Sequence, residues 1–72
     1  MKNEFRVGHR YYNQITKDDV YVLERTDRLL FYRSMNRDRY YSGTAVIERN
    51  TCGVEFIKIH TGGDIESIFI AK

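Results

Sequence analysis

The stretch "LLFYRSMNRDRYYSG", residues 29–43, decides how this chain is read. Leu29 and Phe31 fall on one side of an extended segment and Leu30 and Tyr32 on the other, because side chains alternate along a strand. Polar residues over 34–38 then interrupt the apolar pattern. Arg39, Tyr40 and Tyr41 lead into a second extended segment containing Gly43. The stretch therefore reads as a hairpin: a strand over 28–33, a turn over 34–38 and a strand over 39–48. Gly43 marks a bulge or bend of the kind that barrels use to turn corners. Pairing across this turn places Arg33 near Arg39. Like charges brought together cost stability unless Asp38 or a partner offsets them.

The pattern continues on both sides of the hairpin. Residues 9–14 follow Gly8 as a first strand, and 16–19 form a polar turn in which Thr and Asp bond their own backbone. Residues 20–25 form a strand with Val20 and Val22 on one face and Tyr21 and Leu23 on the other. A tight reversal at 26–27 leads into the hairpin. Beyond it come a turn at 49–53, a strand over 54–59 with Val54 and Phe56 opposed to Glu55, a glycine turn at 60–64 and a short last strand within 65–71. Helical periodicity, proline, repeats and low-complexity runs are absent. Short strands on short connections indicate an all-β sandwich or barrel. With no amphipathic helix to cover an apolar sheet face, the compact solution is curling. The expected fold is a single all-β domain over residues 1–72, a five- or six-stranded antiparallel barrel of the SH3-like or OB-like type with little or no helix.

Composition narrows the chemistry. At 72 residues, the chain buries only roughly 60% of its unfolded surface. Cys52 is the only cysteine, so neither a disulfide nor a cysteine-based metal site forms within one chain. His9 and His60 lie far apart with no ligand spacing, and Asp18-Asp19 reads as a solvated turn pair. Cys52 and His60 are separated by a strand of roughly 20 Å, which discounts a nucleophile–base pair. No phosphate-binding glycine motif is present. These absences exclude the recognisable catalytic constellations and leave no expectation of a metal or other cofactor. No apolar run reaches the ~20 residues of a membrane span, and the N-terminus lacks a signal-peptide core. With one free cysteine, the cytoplasm is the expected compartment.

Phe5, Val7, Gly8 and Tyr11, then the run from Val22 to Arg28, then Gly53 to Ile57, then Ile68 to Ala71 form an ordered set of short motifs. The set resembles a group of small β-barrel proteins of Firmicutes and their phages and mobile elements. Such relatives carry a Cys and His cluster after the first tyrosine, where this chain reads "NQITKDD". The resemblance implies a β fold and a bacterial or phage context. The group has no established activity, so it implies no function.

A binding role is what remains. Residues 25–39 hold five arginines against two aspartates, and arginine outnumbers lysine 8 to 4 in the chain. Arginine favours specific contacts with carboxylate, phosphate and aromatic groups. The candidate surface comprises Arg25, Arg28, Tyr32, Arg33, Arg37, Arg39, Tyr40 and Tyr41. As anchors in a protein interface, these residues point to another protein, such as a host or defence factor, or to self-association. As stacking platforms with a backbone track, they point to nucleic acid. The net charge of only +2 favours the protein reading.

Overall fold

The computed structural model describes residues 3–36, 39–60 and 66–71, leaving aside the side chains of residues 35, 36 and 39. Seven strands form two antiparallel sheets: β1 (Arg10–Asn13), β2 (Asp18–Arg25), β3 (Leu29–Asn36), β4 (Arg39–Val46), β5 (Glu48–Arg49), β6 (Glu55–His60) and β7 (Glu66–Ile70). The first sheet has the order β1-β2-β3-β4 and the second β5-β6-β7. Among the described residues there is no helix, and none long and apolar enough to cross a membrane. The all-β antiparallel reading holds. Among the described residues the sheets are not closed into a barrel, and the strands number seven rather than five or six.

Three local expectations change. Residues 34–36 belong to β3 rather than to the turn expected over 34–38, whose residues 37 and 38 lie outside the described residues. Arg33 consequently pairs with Ser42, and Arg39 with Asn36. Gly43 is not a bulge, since the β3–β4 register runs unbroken from Leu29↔Val46 to Asn36↔Arg39. The irregularity lies in β2 between Val22 and Glu24. The chain changes sheets at Ile47, which is buried between β4 and β5. Residues 61–64 of the glycine turn expected at 60–64 lie outside the described residues, while His60 ends β6.

The core lies between the sheets. Val20 and Val22 from β2, Leu30 and Tyr32 from β3, Ala45 from β4, Ile57 and Ile59 from β6 and Phe69 from β7 all point inward. Side chains join the sheets along the seam between β1 and β7. Asn13 Nδ2 donates to the Ile68 carbonyl at 2.7 Å while its Oδ1 accepts the N–H groups of Ile15 and Thr16. Ser67, itself fully buried, donates to Asp18 Oδ2 at 2.7 Å and lies 2.9 Å from Thr16 Oγ1. Asp18 is thus a buried strand residue rather than half of a solvated turn pair. Asp19, half-buried, faces Arg10 at 3.6 Å.

The other junction is a buried charge. Glu55 stands with Ile57 and Ile59 on the inner face of β6 and is completely buried, while Phe56 is only partly so. Arg25 approaches it with two nitrogens, Nη1 at 2.5 Å and Nη2 at 3.0 Å, and Arg49 Nη2 reaches it at 2.9 Å. The Phe5 N–H donates to the same carboxylate at 2.9 Å, and Arg25 Nη1 donates to the Phe5 carbonyl. Through its backbone, Glu55 donates to Asn3 O and accepts from the Ala71 N–H. Phe5 is buried beside Tyr11, ring centroids 4.8 Å apart and edge to face. Burying such a ring contributes about 1.5–3 kcal/mol. The N-terminal segment, β2 and β5 therefore meet at one carboxylate on β6, and Ala71, after β7, bonds to the backbone of the same residue.

Burial pushes the Glu55 carboxyl up, but hydrogen bonds from Arg25 and the Phe5 N–H, with the charges of Arg25 and Arg49, outweigh it and hold it below the usual carboxylate range. The Arg25 guanidinium is held correspondingly higher, chiefly by its hydrogen bond to Glu55. A depressed folded-state pKa means that the unfolded chain binds more protons as pH falls below about 4.3. The stability that Glu55 contributes is fully present above that pH and is lost as pH falls through the lower folded value. Urea titration should show Arg25→Ala costing about 3–5 kcal/mol and Arg49→Ala, whose side chain is 49% exposed, no more than about 1 kcal/mol. Equal losses for the two would contradict this division of roles. Glu55→Gln should flatten the acid limb of the stability curve.

Candidate functional site

Of the eight arginine and tyrosine residues expected to form one surface, the six whose side chains are described are dispersed by the fold. Arg25 is committed to Glu55 and to the carbonyls of Phe5 and Thr26, with its side chain only 17% exposed. It is an internal tie, not a contact residue. Tyr32 points into the core, and burial raises its pKa. Its ring lies across Gly43, its cross-strand neighbour. A methyl group at residue 43 would come within 2.7 Å of Tyr32 Oη and 3.0 Å of Cζ. Gly43 is therefore required by close approach rather than by a bend. Tyr41 is half-buried and pairs with the fully buried Ser34, so it also faces inward. Arg28 is exposed at the β2–β3 turn, where its carbonyl accepts the Ile47 N–H. Arg37 and the side chain of Arg39 lie outside the described residues. Arg33 and Tyr40 remain exposed on the outer face of the four-stranded sheet.

That outer face is the most distinctive surface of the described residues. Arg10 pairs with Tyr21, Tyr21 with Arg33 and Arg33 with Ser42, so these four exposed side chains form one row across all four strands. One step along the strands, Tyr12 pairs with Asp19, and Tyr40 stands on β4. One step in the other direction, Glu24, Phe31 and Thr44 form a second row, followed by Leu29 paired with Val46. Tyr12, Tyr21, Leu29, Phe31, Tyr40 and Val46 are between 38 and 70% exposed. No element of the described chain covers this face. Its cations, Arg10 and Arg33, are balanced by Asp19 and Glu24.

The outer face of the smaller sheet is less open. Ile68 and Ile70 are partly exposed there, but Lys58 lies over the Phe56 ring at 5.9 Å, where its stem shields apolar surface. Cys52 is exposed in the turn after β5, where Asn50 Oδ1 accepts its N–H and that of Val54. Among the described residues no three His, Cys, Asp or Glu side chains converge on a metal-sized site. Comparison with protein-family models, with curated proteins and with solved structures finds no match to this chain.

Tyr12, Tyr21 and Phe31 were absent from the expected surface because they lie outside its densest arginine–tyrosine run or opposite its inner face. The usable signal was apolar residues on both faces of β2 and β3. The close approach at residue 43 carries its own test. Gly43→Ala should destabilise by about 1–2 kcal/mol, overpacking outweighing the gain from a stiffer unfolded chain. Adding Tyr32→Phe should recover part of that loss in a double-mutant cycle in urea, and simple additivity would contradict the contact.

Proposed function

We propose that the chain is a small non-enzymatic binding module that engages another protein through the outer face of its four-stranded sheet. The observation that carries this reading is a continuous uncovered face with six partly exposed large apolar residues, interleaved with arginine. Large exposed apolar patches mark interaction surfaces, and tyrosine and arginine are enriched among the residues that dominate binding energy. The balance of two arginines against two acids favours a protein surface over a phosphate backbone, which selects for net positive charge. Small barrels of the SH3-like and OB-like type offer an analogy of shape for such binding, which the two unclosed sheets carry only in part. A bacterial or phage setting and the cytoplasm complete the reading.

One feature favours the nucleic-acid alternative. Tyr12, Tyr21 and Phe31 step diagonally across three adjacent strands with Arg10 and Arg33 flanking the middle ring, the composition of a base-stacking platform. Salt separates the two readings, since phosphate binding weakens steeply as salt rises. Fluorescence anisotropy with single- and double-stranded oligonucleotides at low and high salt should show no salt-sensitive binding. Affinity capture with the wild type and with a Tyr21→Ala, Phe31→Ala variant as baits should show protein capture, of another protein or of tagged copies of the chain itself, lost in the variant while its circular dichroism is unchanged. Equal capture by both baits, or tight salt-sensitive oligonucleotide binding, would overturn the reading.

A further inference from the structure

The outer face is complementary to itself. Arg33 and Glu24 are exposed on neighbouring rows of adjacent strands, yet they make no ion pair with each other or with any other described residue. Two opposite charges exposed on an apolar face are free to pair with groups of a partner. Symmetric association offers a direct way to pair them, because a two-fold interface presents the same patch twice.

The register determines which two-fold axis suits the charges. An axis lying across the strands, midway between the Arg33 row and the Phe31 row, stacks two outer faces and exchanges the rows. Arg33 of one copy then lies over Phe31 of the second, and Ser42 lies over Thr44. Tyr40 meets Val46, which places apolar surface on apolar surface. Phe31 pairs directly with Glu24 on its own sheet, so the incoming guanidinium meets an aromatic face with a carboxylate beside it, and the reciprocal contact forms at the same time. Both attractions are established ones, a cation on a ring and a charge-assisted hydrogen bond.

Two other axes do not suit this pattern. An axis across the strands through the Arg33 row would set Arg33 against its own copy. The favoured axis also sets Glu24 over Tyr21 of the second copy, whereas an axis along the strands between β2 and β3 would put the two copies' Arg33, and likewise their Glu24, in one row only about 4.8 Å apart across the stack. Three strands of eight residues and the four-residue β1, about 4.8 Å apart with about 3.3 Å per residue, form a face of at most roughly 19 by 26 Å, the size of a weak, reversible interface.

We propose that a second copy of this chain occupies the face, as a reversible symmetric dimer of stacked four-stranded sheets with Arg33 seated between Phe31 and Glu24 of its partner. The proposal rests on the face being a protein-binding surface and names the partner. Sedimentation equilibrium over about 10–500 µM should show a monomer–dimer equilibrium for the wild type. Arg33→Glu and Glu24→Arg should each weaken dimerisation by at least about tenfold, since each places like charges opposite one another. The double charge swap should restore at least part of the affinity, because opposite charges again face each other. All three should keep the wild-type circular dichroism, as both positions are exposed.

Dimerisation unchanged by either single reversal, or not restored by the swap, would overturn the proposal. A wild type that stays monomeric throughout would overturn it too. Should that monomer still capture a different protein through Tyr21 and Phe31, the binding-module reading survives without the dimer. Salt-sensitive oligonucleotide binding lost in Arg33→Glu would overturn both.

Discussion

The buried carboxylate of Glu55 is the constraint on which the rest of this structure depends. A carboxylate removed from water is costly unless paired and fully hydrogen-bonded, and here its partners come from the N-terminal segment, β2 and β5. Meeting that demand draws together segments far apart in sequence, since Phe5 and Arg25 lie 50 and 30 residues from it. It also ties the two sheets at one end, while Asn13, Asp18 and Ser67 tie them along the opposite seam. A 72-residue chain has little apolar core to spare. Hydrogen bonds between side chains therefore stand where a barrel would have continuous ladders.

This arrangement decides which residues remain for binding. Arg25, the basic residue that leads into the hairpin, is used up inside. Tyr32 and Tyr41 turn inward, one across Gly43 and the other beside Ser34. The outer face of the four-stranded sheet inherits the exposed aromatic groups and keeps two charges, Arg33 and Glu24, that the described chain does not pair. The stabilising network and the candidate surface thus occupy opposite sides of one sheet. Substitutions on the outer face leave the ties between the sheets untouched.

Much of the fold was legible in the alternation of side chains. Period two through 20–25 and 28–33 marked strands, and it placed Val20 with Val22 and Leu30 with Tyr32, which share the core side. Extending the same count from Leu30 carries Tyr32 and then Ser34 inward, yet the density of arginine and tyrosine drew the hairpin towards a surface reading. The burial of Glu55 was not legible. In "VEFIKI" it shares a side with Ile57 and Ile59, but an acid on that side becomes reasonable only once Arg25 is known to reach it across the sheets. Gly43 misled for a related reason. Glycine in a strand signals either a bend or a close approach, and only the cross-strand pairing with Tyr32 distinguishes them. Register across strands is a long-range property, and the outer rows that define the candidate surface exist only once it is set.

The proposed burial of the outer face of the four-stranded sheet against a second copy of the chain is tested most directly by residue-level solvent accessibility. Amide and side-chain NMR signals would be recorded with a soluble paramagnetic probe in dilute and in concentrated samples. The account predicts that concentration protects Tyr21, Phe31, Thr44 and Val46 from the probe while Lys58 and Ile68, on the outer face of the smaller sheet, stay unchanged. Protection that appears instead on Lys58 and Ile68, or on neither face, would contradict it.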